Sequence, residues 1–251
     1  MTPGRWAAAA GARALVIVDD FDPTESDRRV DGPDGHHLAR VRRLEIDERL
    51  VVADGAGHWY EAQVVANERD ALVVVRAGES FTEPVPMPSI AVAFAPAKRD
   101  RGAEVTHQLV ELGVDRIIPL VSRRGVVRWD DDRTEAALDR LRRIAREAAM
   151  QSHRARLPKI EPLTSVIELA TTPGLVVADR VEAQPGRAFD PAGVADASRP
   201  EYVVLVGPEG GFAEDERVRL ATVPRLTVGA HVLRSVTAPI AAAAVLVAHR
   251  S

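Results

Sequence analysis

The sequence predicts an α/β protein in which a small β-rich domain precedes a larger domain built on a parallel sheet. Three observations lead to this prediction. Short strand-like runs with tight turns fill about the first eighty residues, strand-like and helical segments alternate after residue 88, and three prolines within residues 82–88 separate the two patterns. Dense proline gives a stiff spacer, so the domains are predicted as residues 1–83 and 84–251.

The first domain is predicted to be a small barrel or curled sheet. Strand-like runs occupy residues 14–18, 49–53, 58–65 and 71–77. Residues 34–44 carry apolar side chains at helical spacing. The turn that begins at Asp54 and Gly55 lies between two strand-like runs and is typical of a β-hairpin.

The second domain alternates strands and helices, a pattern that favours a parallel sheet covered on both faces. Strands are predicted at residues 89–95, 116–121, 174–179, 201–206 and 225–228. Helices are predicted at residues 102–112, 133–152, 165–170, 213–221 and 237–249.

Composition narrows the class of protein. The chain has 251 residues, of which 46% are hydrophobic and none is cysteine, so disulfides and thiolate metal sites are excluded and a cytoplasmic location is expected. The most apolar run, residues 238–248, is too short to span a bilayer. The histidines and serines lack the spacing of metallohydrolase and serine-hydrolase motifs, and no metal site is predicted.

The distribution of charge points to an RNA partner, although the net charge is −4. Residues 98–159 contain 15 basic and 10 acidic side chains, a balance of +5, so the remainder carries −9. Local basic patches matter more for RNA contact than the total charge does. Only two residues of the chain are lysines, so arginine is the default cation and any single arginine is weak evidence for function.

Two glycine-containing segments near the C-terminus predict a ligand site. In residues 203–212 an apolar run gives way to Gly-Pro-Glu-Gly-Gly, and in residues 226–238 a short strand ends at Gly229 before an apolar helix. A buried strand that ends in glycine lets the backbone approach a ligand closely. In α/β domains such sites lie at the carboxyl ends of parallel strands. The spacing matches neither a dinucleotide fingerprint nor a phosphate loop.

These two segments resemble the closing motifs of the SPOUT-class RNA methyltransferases, in particular the RsmE family, which methylates N3 of a uridine in 16S ribosomal RNA. Other stretches resemble the same family in the same order. They are residues 36–44, 54–62, 98–101, 108–115, 122–128 and 147–154, the last closed by Pro158. The resemblance therefore runs from about residue 14 to the C-terminus.

This resemblance implies a PUA-like RNA-binding domain followed by a SPOUT domain with a deep trefoil knot. Periodicity would not suggest a knot, because true knots are rare. The resemblance further implies that S-adenosylmethionine binds in the knot and that the enzyme is a homodimer whose site draws on both subunits. The implied substrate is 16S rRNA within the small ribosomal subunit, and no membrane is involved.

The two glycine segments supply the predicted cofactor contacts, with glycines for close approach and apolar side chains as a slot for adenine. Plain core packing is an equally good interpretation of Val232, and Thr237 is predicted to cap the last helix. The predicted cofactor-binding residues are Val206, Gly207, Glu209, Gly210, Gly211, Val228, Gly229, Val232, Leu233 and Ala238.

Arg234 is the predicted catalytic residue. Methyl transfer from a sulfonium is catalysed by holding the reacting atoms in line. Charge then builds on the uracil carbonyls as the N3 proton leaves, and an arginine aimed there would stabilise it. An alternative of similar weight is that Arg234 satisfies carbonyls or pairs with Glu209.

Basic and polar residues of both domains are the predicted RNA contacts, mostly to phosphate. An ordinary solvated face is the competing interpretation for each of them. The predicted set is His36, Arg40 and Arg43 in the first domain, and Lys98, Arg99, Arg101, Arg123, Arg128, Gln151, Arg154 and Arg156 in the second.

Two positions depart from the pattern of the family. Many members have an acidic residue where this chain has Val236, and glutamate where it has Met150. If either acid were a general base, this chain would be impaired. Two alternatives therefore stay open: an RNA-binding assembly factor that has lost catalysis, and a SPOUT methyltransferase with another RNA target.

Overall fold

The computed structural model describes residues 11–96, 101–125, 131–179, 188–195 and 199–250. The chain divides into two compact units. The first comprises Met1–Val85 together with Ala149–Leu157, and the second comprises Pro86–Ala148 and Pro158–Ser251. The first unit therefore includes Ala149–Leu157, which begins near the end of a helix, Asp131–Gln151, that lies mostly in the second unit.

The first unit contains a five-stranded sheet within the described residues, in the order β1-β3-β4-β5-β2. β3 pairs antiparallel with β4, and Ala53 lies opposite Trp59, so the predicted hairpin is confirmed. Aliphatic side chains of the strands form the core of the unit. The strands are β1 (Ala12–Ile17), β2 (Asp27–Val30), β3 (Arg49–Ala53), β4 (His58–Glu68) and β5 (Ala71–Thr82).

The helical segment of the first unit begins and ends earlier in the sequence than predicted. Helix α1 covers Gly32–His36, and a single π-helical turn follows at His37–Val41. The segment ends there because Arg43 takes a positive φ of 51°, which no helix continues. Gly35 lets α1 lie directly on the end of β2, since a Cβ at this position would be 2.4 Å from the Val30 carbonyl oxygen. β2 itself was not predicted, because its four residues include three charged side chains.

The second unit has a seven-stranded sheet in the part of the chain that is described, with the path β12-β10-β11-β6-β7-β8 and β9 beside β7. Every pairing in it is parallel, as predicted. Its strands are β6 (Ser89–Phe94), β7 (Arg116–Val121), β8 (Lys159–Ile160), β9 (Thr164–Ser165), β10 (Leu175–Asp179), β11 (Glu201–Val206) and β12 (Arg225–Thr227).

Within the described residues, four α-helices and a 3₁₀ turn lie between the strands of this sheet, and a fifth helix follows the last strand. All five helices lie where the sequence predicted them, although α4 and α5 are shorter. The helices are α2 (Arg101–Glu111), α3 (Asp131–Gln151), α4 (Val166–Leu169), α5 (Glu214–Arg219) and α6 (Thr237–His249), and the 3₁₀ turn is Pro191–Ala195. No helix of the described residues has the length and apolarity needed to cross a membrane.

Strand register brings distant parts of the chain to one edge of the sheet. Val206 at the end of β11 lies opposite both Phe94 of β6 and Ala178 of β10, and Ala178 lies opposite Leu226 of β12. Because all four strands run in the same direction, the loops that follow them emerge at this edge. Ligands bind at such an edge in open α/β sheets.

Substitution of Gly174 tests whether β10 must lie as close to β11 as it does in this structure. It has a φ of +77°, and a Cβ there would lie 2.3 Å from the Glu201 carbonyl oxygen. Gly174→Ala is expected to lower the free energy of unfolding by about 1–3 kcal/mol from the backbone conformation alone, with the clash adding to that loss. Urea denaturation measures the change. Gly193→Ala is the matched control, since nothing lies within 4 Å of its Cβ position, and equal losses in the two variants would contradict the expectation.

Candidate active site

A cavity of about 660 Å³ opens at the carboxyl ends of β10, β11 and β12. Its volume lies within the range of about 300–1,000 Å³ that is usual for small-molecule sites. All ten predicted cofactor-binding residues line it, as does Arg234. The two glycine segments therefore meet around one cavity, and contact between these residues and a cofactor stays a prediction.

The first wall of the cavity is the glycine-rich loop, defined here as residues 207–212. It turns sharply, because the Gly211 amide donates to the Pro208 carbonyl oxygen at 2.8 Å and Gly211 has a φ of +67°. The ring of Phe212 folds back onto Gly207, where a Cβ would be 2.8 Å from the ring. A side chain at residue 207 would therefore displace Phe212 from the loop.

The second wall is the loop from Val228 to Ser235, which leads into α6. The Arg234 carbonyl oxygen accepts hydrogen bonds from the amides of Thr237 and Ala238, both at 2.9 Å, and these bonds begin the helix. The N-cap of α6 is Val236, and no side chain caps it. The prediction that Thr237 caps the helix is wrong, because the chain is already helical at that residue.

Glu209 joins the two walls. Its Oε1 accepts a hydrogen bond from the Ser235 hydroxyl at 2.9 Å and lies 3.5 Å from Nη1 of Arg101 at the start of α2. Arg234, by contrast, is exposed, and its side chain has no hydrogen bond or ion pair among the described residues. Glu209 therefore pairs with Arg101 and Ser235. The predicted alternative, a pair between Glu209 and Arg234, is not observed.

The apolar residues of the second wall are not core residues. Val232 is 72% exposed, so the core-packing interpretation of that residue is wrong. Val228 and Leu233 are half-buried. Apolar side chains that line a cavity without joining the core remain able to contact a ligand.

Five further lining residues were missed by sequence reasoning, namely Ala178, Pro208, Phe212, His231 and Ser235. Ala178 had a usable signal, because it lies near the carboxyl end of a correctly predicted strand. Pro208 and Phe212 lie inside the predicted loop, next to chosen residues. Nothing in the local sequence distinguishes His231 and Ser235 from other polar loop residues.

The predicted RNA contacts of the second unit are partly paired with acids. Lys98, Arg99 and Arg128 lie outside the described residues. Arg101 pairs with Glu209, as above, and Nε of Arg123 lies 2.6 Å from an Asp215 carboxylate oxygen. Both arginines are about half exposed or more, so each retains donors that face solvent.

The predicted RNA contacts of the first unit include exposed and anchored cations. Arg40 lies 3.6 Å from the Asp70 carboxylate and His36 lies 3.9 Å from it, while Arg43 is exposed. Arg156 is half-buried, and its Nη2 donates to the Glu83 carbonyl oxygen at 2.8 Å.

Arg156 also packs against the hairpin turn, where a Cβ on Gly57 would be 2.2 Å from its Nη2. This guanidinium anchors the stretch Ala149–Leu157 within its unit, which is a structural role. Gln151 and Arg154 belong to the same stretch, and their predicted RNA contacts remain untested.

His153, in the stretch Ala149–Leu157, lies close enough to Arg42, just after the π-helical turn, to interact electrostatically with it. Burial lowers the pKa of His153, and the nearby Arg42 guanidinium lowers it further. Arg40 and Arg43 on one side of this interaction, and Gln151 and Arg154 on the other, were predicted to bind RNA.

Among the described residues, no three histidine or carboxylate side chains lie close enough together to hold a metal ion.

Comparison with known proteins gives matches to both parts of the chain. A family model described as an RNA methyltransferase domain matches residues 83–247, and one described as an RNA methyltransferase PUA domain matches residues 30–75. The chain is 33% identical over 235 residues to a ribosomal RNA small subunit methyltransferase E of Mycobacterium bovis, covering 89% of this chain and 87% of that protein. The protein of the same name in Bacillus subtilis is 28% identical over 222 residues, covering 84% and 86%.

Solved structures give the same result. A ribosomal RNA small subunit methyltransferase E from Neisseria gonorrhoeae, bound to S-adenosyl methionine, is similar with a TM-score of 0.76 and 26% identity, covering 92% of this chain and 95% of that one. A probable rRNA-methyltransferase from Porphyromonas gingivalis is similar with a TM-score of 0.73 and 27% identity, covering 94% and 98%.

Proposed function

Because the chain belongs to the ribosomal RNA small subunit methyltransferase E family, we propose that it transfers a methyl group from S-adenosylmethionine to N3 of a uridine in 16S rRNA. The observation that carries this proposal is the single cavity that the two glycine segments form at the carboxyl ends of β10, β11 and β12. The resemblance to the family implies that these two segments bind the cofactor. A homodimer, a trefoil knot and a cytoplasmic location belong to the same proposal.

The residues of the cavity fit S-adenosylmethionine by size and chemistry. Nothing lies within 4 Å of the Cβ positions of Gly211 and Gly229, so a ligand could approach the backbone closely at these two residues. The half-buried apolar side chains Val228 and Leu233 suit a purine, which is recognised by an apolar slot with backbone hydrogen bonds. When bound, the cofactor supplies a methyl group already activated on a positive sulfur.

Arg234 is proposed to act on the substrate base. Its exposed guanidinium lines the cavity and is not bound to Glu209. Loss of the N3 proton places negative charge on the uracil carbonyl oxygens, and a guanidinium aimed at them stabilises such charge. Orientation of the base against the methyl group supplies the rest of the catalysis.

A second candidate function, that of an RNA-binding assembly factor without catalysis, is supported by Val236. This residue is the N-cap of α6, beside Ser235 of the cavity, and it has no ionisable group. Met150 likewise cannot act as a base. The two candidates differ in whether the chain transfers a methyl group, and both include RNA binding.

RNA binding is proposed to use a surface of the first unit that we call the basic turn, residues 36–43. It carries His36 at the end of α1, Arg40 in the π-helical turn, and Arg43, which has a positive φ, just after that turn. The side chain of Val41 in the same turn is 62% exposed. Exposed guanidinium groups contact phosphates, which position RNA without reading its sequence.

The first experiment offers labelled S-adenosylmethionine to small ribosomal subunits that lack the modification, and the RNA is then digested to nucleosides for mass spectrometry. We expect 3-methyluridine to appear. Cofactor binding without transfer to subunits would move the target to naked or precursor RNA, or to another nucleotide. Absence of both binding and transfer would overturn the enzymatic proposal and favour the assembly factor.

Arg234→Ala is expected to lower kcat by about 100-fold or more, which is the effect of removing one hydrogen-bond donor from a developing negative charge. The Kd for S-adenosylmethionine, measured by isothermal titration calorimetry, should change little because the residue acts on the base. Arg142→Ala is the matched control, since Arg142 lies on α3, pairs with Glu135 and Asp139 and does not line the cavity. A variant that lost cofactor affinity and kept kcat would contradict the assigned role.

Arg43→Gln is expected to weaken binding to a 16S rRNA fragment and to reduce the slope of log K against log salt by about one, as loss of one phosphate contact does. Fluorescence anisotropy at several salt concentrations measures both quantities. Arg142→Gln removes the same charge from α3, where Arg142 pairs with Glu135 and Asp139. Equal slopes in these two variants would mean that net charge alone decides, and the basic turn would not be a specific surface.

A further inference from the structure

A buried carboxylate outside the cavity holds two loops of the second unit together. Glu216 lies on α5, is 2% exposed, and accepts three hydrogen bonds from neutral donors. Its Oε2 accepts from the Ala213 amide at 2.7 Å and from the Ser122 hydroxyl at 3.0 Å. Its Oε1 accepts from the Arg123 amide at 2.8 Å. One side chain therefore joins the chain just after β7 to the chain just after the glycine-rich loop.

The loop after β7, residues 122–124, lies against the glycine-rich loop. Nη1 of Arg124 donates to the Gly210 carbonyl oxygen at 3.3 Å, and a Cβ on Gly210 would lie 3.5 Å from Cβ of Arg124. The two loops come from strands that are separated by β6 in the sheet. No backbone pairing of the sheet joins them at this point, so the side-chain bonds fix their relative position.

The energetics favour Glu216 over the other links between these loops. The Arg123–Asp215 and Arg124–Gly210 contacts are solvent-exposed, and such surface contacts contribute little because water competes for them. A buried carboxylate that lost a donor would keep the full desolvation cost of its charge without the compensating bond. Of these contacts, the hydrogen bonds of Glu216 therefore contribute most to holding the two loops together.

We propose that Glu216 is a positioning residue for the cofactor site: it holds residues 122–124 against the glycine-rich loop and so keeps that loop in its binding shape. Glu216 does not line the cavity and touches no ligand in this scheme. It acts through the Ala213 amide at the end of the loop and through Arg124 over Gly210. The cofactor part of this inference rests on the proposed function, whereas its effect on the loops does not.

Glu216→Gln tests the inference with little change in shape. Glutamine offers one acceptor oxygen, so its amide nitrogen must face either the Arg123 amide or the Ala213 amide, and one main-chain donor loses its partner. Hydrogen exchange measured by mass spectrometry should become faster in residues 122–124 and in the glycine-rich loop. The Kd for S-adenosylmethionine should rise about tenfold, as expected for the loss of one hydrogen bond to a charged group.

Two control variants separate positioning from general stability. Asp215→Asn removes the neighbouring exposed charge and leaves the three bonds of Glu216, so both exchange and affinity should stay as in the wild type. Ser122→Ala removes one of the three donors and should give a smaller change in the same direction, which also provides a test if Glu216→Gln does not fold.

A double-variant cycle supplies a readout that a purely structural role would not move. Arg124→Ala should weaken cofactor binding in the wild type by less than Glu216→Gln does, because the Arg124 contact is exposed, and it should have no further effect when combined with Glu216→Gln. Additive effects, or unchanged exchange of the glycine-rich loop in a folded Glu216→Gln protein, would overturn the inference. If the wild type itself binds no S-adenosylmethionine, the proposed function fails, and the exchange measurement still decides whether Glu216 positions the loops.

Discussion

The arrangement of the site depends on the position of β11 in the middle of a parallel sheet. Its residues Val203, Val204 and Leu205 are fully buried between β6 and β10. Parallel pairing requires that the chain cross over after each strand, so that every carboxyl end reaches the same edge. The glycine-rich loop, the loop before α6 and the loop after β7 come from separate parts of the sequence, and this constraint brings all three to the same edge of the sheet.

Once the sheet has brought the loops to one edge, side-chain bonds decide their shape. Glu209 and Glu216 divide that task according to their burial. Glu209 is exposed, so water can compete for its bonds to Ser235 and Arg101. Glu216 is buried and accepts three hydrogen bonds from the protein. The bonds of Glu216 therefore contribute more to the shape of the loops than those of Glu209.

How far the sequence predicts this structure depends on the range of each signal. The long apolar strands and helices of the second unit were correctly placed, since periodicity is local, and the ten cofactor candidates all line one cavity. β2 was missed because its charges hide a short strand, and the association of Ala149–Leu157 with the first unit is a tertiary contact that leaves no local pattern. Glu216 reads as an ordinary exposed helix residue until the donors that surround it are known.

The ionisable side chains that line the described cavity bear on how the proposed reaction accommodates loss of the uracil N3 proton. They are Glu209, His231 and Arg234, and Glu209 is already engaged by Ser235 and Arg101. Glu209 is the carboxylate among them, and its Oε1 already faces donors of the protein. The balance of charge therefore suits stabilisation of a negative uracil ring better than removal of its proton by a carboxylate. On this argument an acid in place of Val236 would be dispensable, because the role proposed for Arg234 is to lower the free energy of the anion whichever group takes the proton.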